Sequence, residues 1–450
     1  MLHFDPSSAT SLVALCLCFV LVCVFEFANG FHDTANAVAT VIYTNSLKPT
    51  VAVVWSGLMN LLGVILGGIS VAYALVELLP PDVLSPPSGN PAVPMLVALF
   101  GTALAWNLMT WWFGIPNSSS HCVIGSLVGI AIGDSFVHAR ELGHSVDWSQ
   151  IWKVLRALAF SPLLGFVGAL LLYFLIKSFV KMPEMYKAPT PDQKPNPIVR
   201  AVLVLTCTLV SFSHGSNDGQ KSIGLIMLTI IGIMPAAFAL NPASPVSMEQ
   251  IRQDAQQALP LVTQYDRYSF KGDAVASIAR LSQTEGPAEA PSELRGDVYQ
   301  VLSGLRSVAA NPAASDADRK TASHLASELR PTVEYAPGWV RLLSALCLGI
   351  GTMVGYKRIV RTLGEGIGTT HLTPAQGAAS EVVGASLIMT AGYTGLPVST
   401  THIITSGVAG TMVAAGSGIN KKMLTKIVMA WLLTLPVTVC VAAAVFYVLA

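Results

Sequence analysis

Seven long apolar runs occupy much of this 450-residue chain, and burying them requires a lipid bilayer around most of it. A hydrocarbon core about 30 Å thick needs about 20 apolar residues per helix. The runs that reach or approach this length are Ser11–Ala28, Val51–Val76, Met95–Phe113, Ala157–Ile176, Ala201–Ser213, Leu342–Tyr356 and Ile427–Leu449. Shorter, glycine-interrupted runs lie between them. The sequence therefore predicts an all-α polytopic membrane protein with about 10–12 membrane segments.

The charged residues are concentrated in one segment. The chain has 26 basic and 25 acidic residues, and 9 of the basic and 12 of the acidic ones lie between Asn241 and Pro337. This segment is predicted to be a hydrophilic, mostly helical insert, and it contains no motif typical of a catalytic site. The net charge of +1 and the absence of a basic patch exclude nucleic acid as an expected partner.

Two pairs of polar strings recur within the apolar surroundings. The first pair is NGFHDTAN at Asn29–Asn36 and HGSNDGQK at His214–Lys221. The second pair is PNSSSH at Pro116–His121 and PVSTTH at Pro397–His402. Because both pairs keep the same order along the chain, we expect two copies of one structural unit.

The spacing of these strings supports a duplication. Asp33 and Ser118 are 85 residues apart, whereas Asp218 and Ser399 are 181 residues apart. The difference of 96 residues nearly equals the 97 residues of the charged segment 241–337. Removing that segment therefore brings the two halves into register.

The duplication defines the expected domains. The first membrane repeat covers 1–180, a linker covers 181–197, and the second membrane repeat is split by the insert into the segments 198–240 and 338–450. The region 177–200 carries five basic residues, which predicts a cytoplasmic position: Lys177, Lys181, Lys187, Lys194 and Arg200.

Equivalent loops of the two repeats have opposite charge. The loops 79–93 and 138–152 are nearly free of basic residues, whereas their counterparts 357–376 and 418–426 are rich in them. This bias predicts inverted topology with both termini on the outer side. Inverted repeats are typical of secondary transporters, whose sites lie near the membrane midplane between the repeats.

Ionisable side chains within membrane segments indicate a functional site. We expect the helices to break at Gly30 and Gly215, next to a cluster of oxygen ligands suited to a hard cation or a proton. The side chains predicted to form it are Asp33, Asn36, Asn217 and Asp218. The alternative is that these residues only cap helix ends.

Two further members of these strings titrate or carry charge. His32 directly precedes Asp33, and its titration near neutrality is suited to coupling with a proton flux. Lys221 stands at the position of Asn36 in the other copy. Its ammonium either takes the place of a bound cation or forms a structural pair with Asp218, and the sequence leaves both open.

The hydroxyl-rich strings resemble helix starts. An early proline, hydroxyl caps and free backbone N–H groups together favour an anion at such a position. Two of these starts meeting at the midplane are suited to a tetrahedral oxyanion, and their expected ligands are Ser118, Ser119, Ser120, Ser399, Thr400 and Thr401. His121 and His402 are equivalent to each other, and each is either a proton relay or a capping group.

At these residues the sequence resembles the PiT family of inorganic phosphate transporters, in particular its bacterial low-affinity, proton-coupled members. The similarity is carried by five strings spread over the membrane domain: GFHDTANAVATVIYT (Gly30–Thr44), SSSHCVIG (Ser118–Gly125), FSHGSNDGQKSIGLIML (Phe212–Leu228), EYAPGW (Glu334–Trp339) and GLPVSTTHIITSGVAGTMV (Gly395–Val413).

The resemblance implies a symporter, not an enzyme, that imports phosphate as a complex with a divalent metal such as Mg²⁺. It places phosphate on the hydroxyl strings and the coupling ion at the paired aspartate motifs. His32 and Lys221 depart from the family pattern, which has asparagine at both positions, so protons are favoured over Na⁺ as the coupling ion. The metal is expected to enter with the substrate, without dedicated protein ligands, and no covalent cofactor is expected. The same resemblance implies a multi-pass protein of the bacterial inner membrane that is in contact with lipid and forms a homodimer.

The same residues leave other functions open. The nearest are sodium-coupled phosphate symport and sulfate symport. Phosphate is favoured over sulfate because its P–OH group can donate a hydrogen bond to Asp33 or Asp218, whereas sulfate only accepts hydrogen bonds. A passive channel and an intramembrane hydrolase are more distant alternatives, and the strings HExxH, GxSxG and GxGD do not accompany the histidine, aspartate and serine residues.

Overall fold

The computed structural model describes residues 9–76, 78–79, 93–138, 148–188, 190, 194–233, 240–265, 271–282 and 291–450. Within these ranges the chain is built from helices and contains no strand, apart from one isolated bridge between Gly368 and Ile419. The predicted all-α class is confirmed.

The α-helices of the described ranges are numbered here in chain order. They are α1 (Ala9–Tyr43), α2 (Pro49–Leu66), α3 (Ser70–Val76), α4 (Val93–Trp112), α5 (Ser119–Val137), α6 (Trp148–Phe179), α7 (Pro197–Ile233), α8 (Met248–Tyr265), α9 (Lys271–Ser282), α10 (Pro291–Ala310), α11 (Asp316–Val333), α12 (Gly338–Thr352), α13 (Lys357–Arg361), α14 (Pro374–Thr394), α15 (Thr400–Ala415) and α16 (Lys421–Leu449). A short 3₁₀ turn at Pro183–Tyr186 and a π-helical turn at Thr362–Gly366 complete the described elements.

Seven of these described helices are long and apolar enough to cross a membrane: α1, α2, α4, α5, α6, α7 and α16. An eighth crossing is formed if α12 and the segment Lys357–Gly366, which bend by 56° relative to each other, count as one span. The predicted 10–12 segments stay a prediction.

Helices α6 and α16 present large apolar side chains outward. Phe160 and Leu171 on α6 are 58% and 60% exposed, and Leu432 on α16 is 65% exposed. Apolar surface of this extent is expected where a protein faces lipid.

The predicted helix breaks at Gly30 and Gly215 are wrong. Both residues lie inside continuous helices, α1 and α7. A Cβ atom on Gly30 would lie 2.4 Å from the carbonyl oxygen of Leu348, and one on Gly215 would lie 2.1 Å from that of Asn60. These glycines therefore allow close contact with α12 and α2, and their backbone carbonyls are not freed for a ligand.

The two halves of the chain pack reciprocally. Helix α5 packs against α16, and α15 packs against α6. A Cβ on Gly129 of α5 would lie 2.3 Å from the carbonyl oxygen of Val439, and one on Gly410 of α15 would lie 2.3 Å from that of Phe166. Each hydroxyl-capped helix thus contacts the last long helix of the other half. The duplication itself stays a prediction. Inverted topology stays a prediction, and most of the loops 79–93 and 138–152 used for it lies outside the described residues.

Helices α8 to α11 belong to a compact unit separate from the membrane helices between Leu17 and Ile226 and after Pro337. Its core is formed by aliphatic residues of all four helices. The buried carboxylate of Glu334 accepts from the guanidinium groups of Arg306 at 2.6 Å and Arg330 at 2.5 Å. The described parts of 241–337 are mostly helical, as predicted. The domain limits stay predictions.

Candidate functional site

Two buried helix starts form one side of the candidate site. The hydroxyl of Ser118 accepts from the backbone N–H of His121 at 3.2 Å, and that of Ser399 accepts from the backbone N–H of His402 at 3.1 Å. Both serines are therefore N-caps, as predicted. All six predicted anion ligands are buried: Ser118, Ser119, Ser120, Ser399, Thr400 and Thr401. The first N–H groups of α5 and α15 have no acceptor within their own helices, so both ends are positive.

The carboxylate of Asp33 on α1 contacts both helix starts. Thr401 at the start of α15 donates its hydroxyl hydrogen to Oδ1 of Asp33. Ser119 at the start of α5 donates to Oδ2 at 3.5 Å. The Asn36 amide donates to Asp33 Oδ1 at 3.2 Å and to Thr401 Oγ1 at 3.1 Å. The predicted neighbours Asp33 and Asn36 therefore join the two hydroxyl strings directly.

The second aspartate motif makes the matching contacts through a lysine. The Lys221 ammonium donates to Oδ1 of Asp218 at 2.6 Å and to the hydroxyl of Ser120 at 2.6 Å. It also donates to the backbone carbonyl of Val398 at 2.9 Å, directly before the cap of α15. Lys221 and Asp218 are both buried, so this ion pair is shielded from water.

His214 lies between the two carboxylates. Its Nε2 atom is 3.4 Å from Oδ2 of Asp33 and 3.4 Å from Oδ2 of Asp218. One ligand atom from each of these three residues lies within 4.8 Å of the other two, and such a set can hold a metal ion. The expectation that the metal has no dedicated protein ligands stays a prediction.

Asn60 on α2 is a contributor that sequence reasoning missed. Its Oδ1 atom is 2.7 Å from Nδ1 of His214, and its amide nitrogen donates to Thr352 at 3.3 Å. The contact fixes the orientation of the His214 ring. The available signal was a single buried amide within the apolar run 51–76.

Two predicted residues stand apart from this hydrogen-bond network. Asn217 is fully buried, and its amide atoms form no hydrogen bond within the described part of the chain. The Nε2 atom of His32 lies 3.4 Å from the hydroxyl of Thr110 on α4, so its ring contacts α4. Neither residue bonds to the aspartates among the residues described here.

The two equivalent histidines meet as a pair. The ring centroids of His121 and His402 are 4.5 Å apart, and His402 stacks on Trp431 with centroids 4.0 Å apart. Nδ1 of His121 is 2.8 Å from the hydroxyl of Ser118, its own helix cap. The structure thus brings these histidines together beside the helix starts, and their role as a relay stays a prediction.

Two further buried carboxyls bond to α7. Glu26 accepts from the hydroxyl of Ser222, and Glu381 accepts from that of Thr206 at 2.5 Å. No hydrogen bond between described residues joins either glutamate to Asp33 or Asp218. They are additional ionisable groups beside the central cluster.

The known proteins that this chain resembles are phosphate transporters. The phosphate transporter family matches residues 29–442 of the chain. Two relatives from Escherichia coli strain K12, the low-affinity inorganic phosphate transporters PitB and PitA, are each 36% identical over 97% of this chain and 96% of their own length. A probable low-affinity inorganic phosphate transporter from Bacillus subtilis strain 168 is 26% identical over 96% of each chain.

One solved structure shares the fold. It is titled the sodium-dependent phosphate transporter, and it is similar to this chain with a TM-score of 0.56 and 20% identity over 97% of this chain and 99% of its own. The relatives named here are transporters and not enzymes. On the extent of the family match and of the full-length similarity, the chain belongs to the phosphate transporter family.

Proposed function

We propose that this protein imports inorganic phosphate by proton-driven symport, with the anion entering as a complex with a divalent cation such as Mg²⁺. The observation that carries the proposal is the convergence of both hydroxyl-capped helix starts on the two aspartate motifs. Thr401 bonds to Asp33, and Ser120 bonds to the ammonium of Lys221, which in turn bonds to Asp218. The full-length similarity to low-affinity phosphate transporters supports the same substrate.

The helix starts supply the anion ligands. Unpaired backbone N–H groups and the positive end of the helix dipole both favour negative charge. The six hydroxyls of Ser118–Ser120 and Ser399–Thr401 can donate to phosphate oxygens from two sides. In the structure described here several of these hydroxyls bond to Asp33 and Lys221, so phosphate binding requires them to exchange partners.

The aspartates provide the coupling. A carboxylate beside a bound anion repels it in a medium of low dielectric constant, so Asp33 must gain a proton or a cation before phosphate settles. Once protonated, Asp33 has an O–H group that can donate a hydrogen bond to a phosphate oxygen. Release of that proton on the other side of the membrane then weakens anion binding. Binding of the coupling ion therefore favours binding of phosphate, and the reverse also holds. Symport requires this mutual dependence.

Access alternates by rocking of the two repeats around the central site, as proposed for proteins built from inverted repeats. We propose that the protein lies in the bacterial inner membrane with both termini on the outer side, and that it forms a homodimer. The lipid bilayer faces α6 and α16, where large apolar side chains are exposed.

Radiolabelled phosphate uptake into proteoliposomes tests the proposal. We expect an imposed proton gradient to drive uptake, Mg²⁺ to stimulate it, and excess sulfate to leave it unchanged. Protein-free liposomes and vesicles without a gradient serve as controls. Uptake that equilibrates phosphate without accumulating it would indicate a channel and contradict the proposal.

Sodium-coupled symport is the second candidate. The Asp33, His214 and Asp218 ligand set can hold a cation, and the similar solved structure is titled a sodium-dependent phosphate transporter. A sodium gradient that drives uptake when no proton gradient is present would favour this candidate.

A further inference from the structure

Lys221 and Asn36 occupy equivalent positions in the two aspartate motifs. Each follows its aspartate by three residues, and each reaches the third hydroxyl of the helix start from the other half of the chain. The Asn36 amide bonds to Asp33 at 3.2 Å and to Thr401 at 3.1 Å. The Lys221 ammonium bonds to Asp218 at 2.6 Å and to Ser120 at 2.6 Å. The two side chains therefore make the same kinds of contact, although one is neutral and the other is charged.

The ammonium is saturated where it lies. A lysine ammonium has three N–H donors. Asp218, Ser120 and the carbonyl oxygen of Val398 accept one each, within 2.9 Å. A buried ammonium is tolerated when its charge and its hydrogens are matched in this way. Lys221 is therefore held in place as a built-in positive charge beside Asp218.

The two aspartates consequently differ in charge balance. Asp218 has a permanent counter-charge from its own helix. Asp33 receives hydrogen bonds from the neutral groups of Thr401, Asn36 and Ser119. The Nε2 atom of His214 is 3.4 Å from a carboxylate oxygen of each aspartate and forms its hydrogen bond with Oδ2 of Asp33. Asp33 is thus the carboxylate that lacks a lysine partner.

We propose that Lys221 is a tethered cation that replaces one transported coupling ion at Asp218 and leaves Asp33 as the single carboxylate for the ion that moves. This inference rests on the proposed symport of phosphate and adds its ion stoichiometry. The contacts assign to the ammonium the place that a mobile cation would occupy between Asp218 and Ser120. A protein of this design moves one positive charge fewer per phosphate than a version with asparagine in both repeats.

The variant Lys221→Asn tests the proposal because it restores the chemistry of Asn36 in the second repeat. Charge movement and labelled phosphate flux are measured together in proteoliposomes, with Na⁺ and H⁺ varied separately. We expect the variant to move one more positive charge per phosphate than the wild type and to need a higher concentration of the cation. Lys221→Arg is the matched control, because it keeps the positive charge and should keep the wild-type charge ratio.

A second measurement is needed if the Lys221→Asn variant folds but does not transport phosphate. Equilibrium binding of ²²Na⁺ to purified protein, together with the number of protons taken up when phosphate is added, counts cation sites without requiring turnover. We expect one more cation site in Lys221→Asn than in the wild type or in Lys221→Arg. The same number of sites and the same charge per phosphate in all three proteins would overturn the proposal.

The mirror variant Asn36→Lys tests the proposal if Lys221→Asn fails to fold. An ammonium at Asp33 should make phosphate binding independent of the cation. In the wild type the cation should raise the affinity for phosphate about ten-fold, the size of ordinary coupling between sites. Cation dependence that persists in Asn36→Lys would overturn the proposal. Failure of the symport proposal is recognised separately, because the wild type itself would then show no driven uptake of phosphate.

Discussion

Substituting Gly215 by alanine tests how the glycines of the aspartate motifs act. The added Cβ would lie 2.1 Å from the carbonyl oxygen of Asn60, which is 1.3 Å short of the 3.4 Å at which ordinary contact begins. The obstructing atom belongs to the backbone of α2, so it cannot rotate away like a flexible side chain. Overpacking of this kind costs about 1–3 kcal/mol. The higher helix propensity of alanine offsets about 1 kcal/mol of that cost.

Gly101→Ala is the matched control. Gly101 lies in α4, and a Cβ there would meet no atom within 4 Å. Alanine should therefore raise stability at this position by up to about 1 kcal/mol. The apparent melting temperature of the purified protein in detergent, followed by tryptophan fluorescence, compares the two variants. We expect it to fall in Gly215→Ala and to stay or rise in Gly101→Ala.

The same substitution should also affect the site. Separation of α7 from α2 would lengthen the 2.7 Å contact between His214 and Asn60, so the KM for phosphate should rise. If Gly215→Ala proves as stable as Gly101→Ala with an unchanged KM, close packing is not the role of this glycine.

Three further predictions follow from individual contacts. Asp33→Asn and Asp218→Asn should each abolish proton-driven phosphate uptake while the protein remains monodisperse, and normal uptake in both would contradict the proposed coupling. Asn60→Leu leaves Nδ1 of His214 without its hydrogen-bond partner, which costs about 1–3 kcal/mol in a buried site. The KM for phosphate in an uptake assay should therefore rise about ten-fold or more. Glu334→Gln removes the negative charge that accepts from two arginines, and it should lower the free energy of unfolding of the hydrophilic unit by about 1–3 kcal/mol. Because this unit is expected to have no catalytic or binding role, the KM for phosphate should not change. A changed KM would refute that expectation.

The sequence predicted features that depend on local chemistry. Ser118 and Ser399 were identified as helix caps because a hydroxyl before an apolar run satisfies backbone N–H groups a few residues away. Asp33 and Asn36 were expected in one oxygen-rich cluster, and they bond to each other. A pair between Asp218 and Lys221 was one of two roles that the sequence left open for the lysine, and the structure contains that ion pair.

Features that depend on neighbouring helices were less accessible. Gly30 is compatible with a helix break and with close helix contact, and only the carbonyl oxygen of Leu348, 2.4 Å from where a Cβ would lie, decides for the second. Asn60 joins the site only because α2 lies against α7. The third acceptor of Lys221, the carbonyl oxygen of Val398, likewise depends on how α15 begins. Such contacts arise from tertiary packing, for which the sequence carries no local pattern.

We propose that the two helix starts and the paired aspartates form one phosphate site. Crystals grown with arsenate, a tetrahedral analogue of phosphate that scatters anomalously, locate the anion. We predict one anomalous peak within hydrogen-bond distance of both Ser118–Ser120 and Ser399–Thr401. A peak elsewhere in the membrane unit, with Thr401 still bonded to Asp33 and Ser120 still bonded to Lys221, would show that phosphate does not bind between the helix starts.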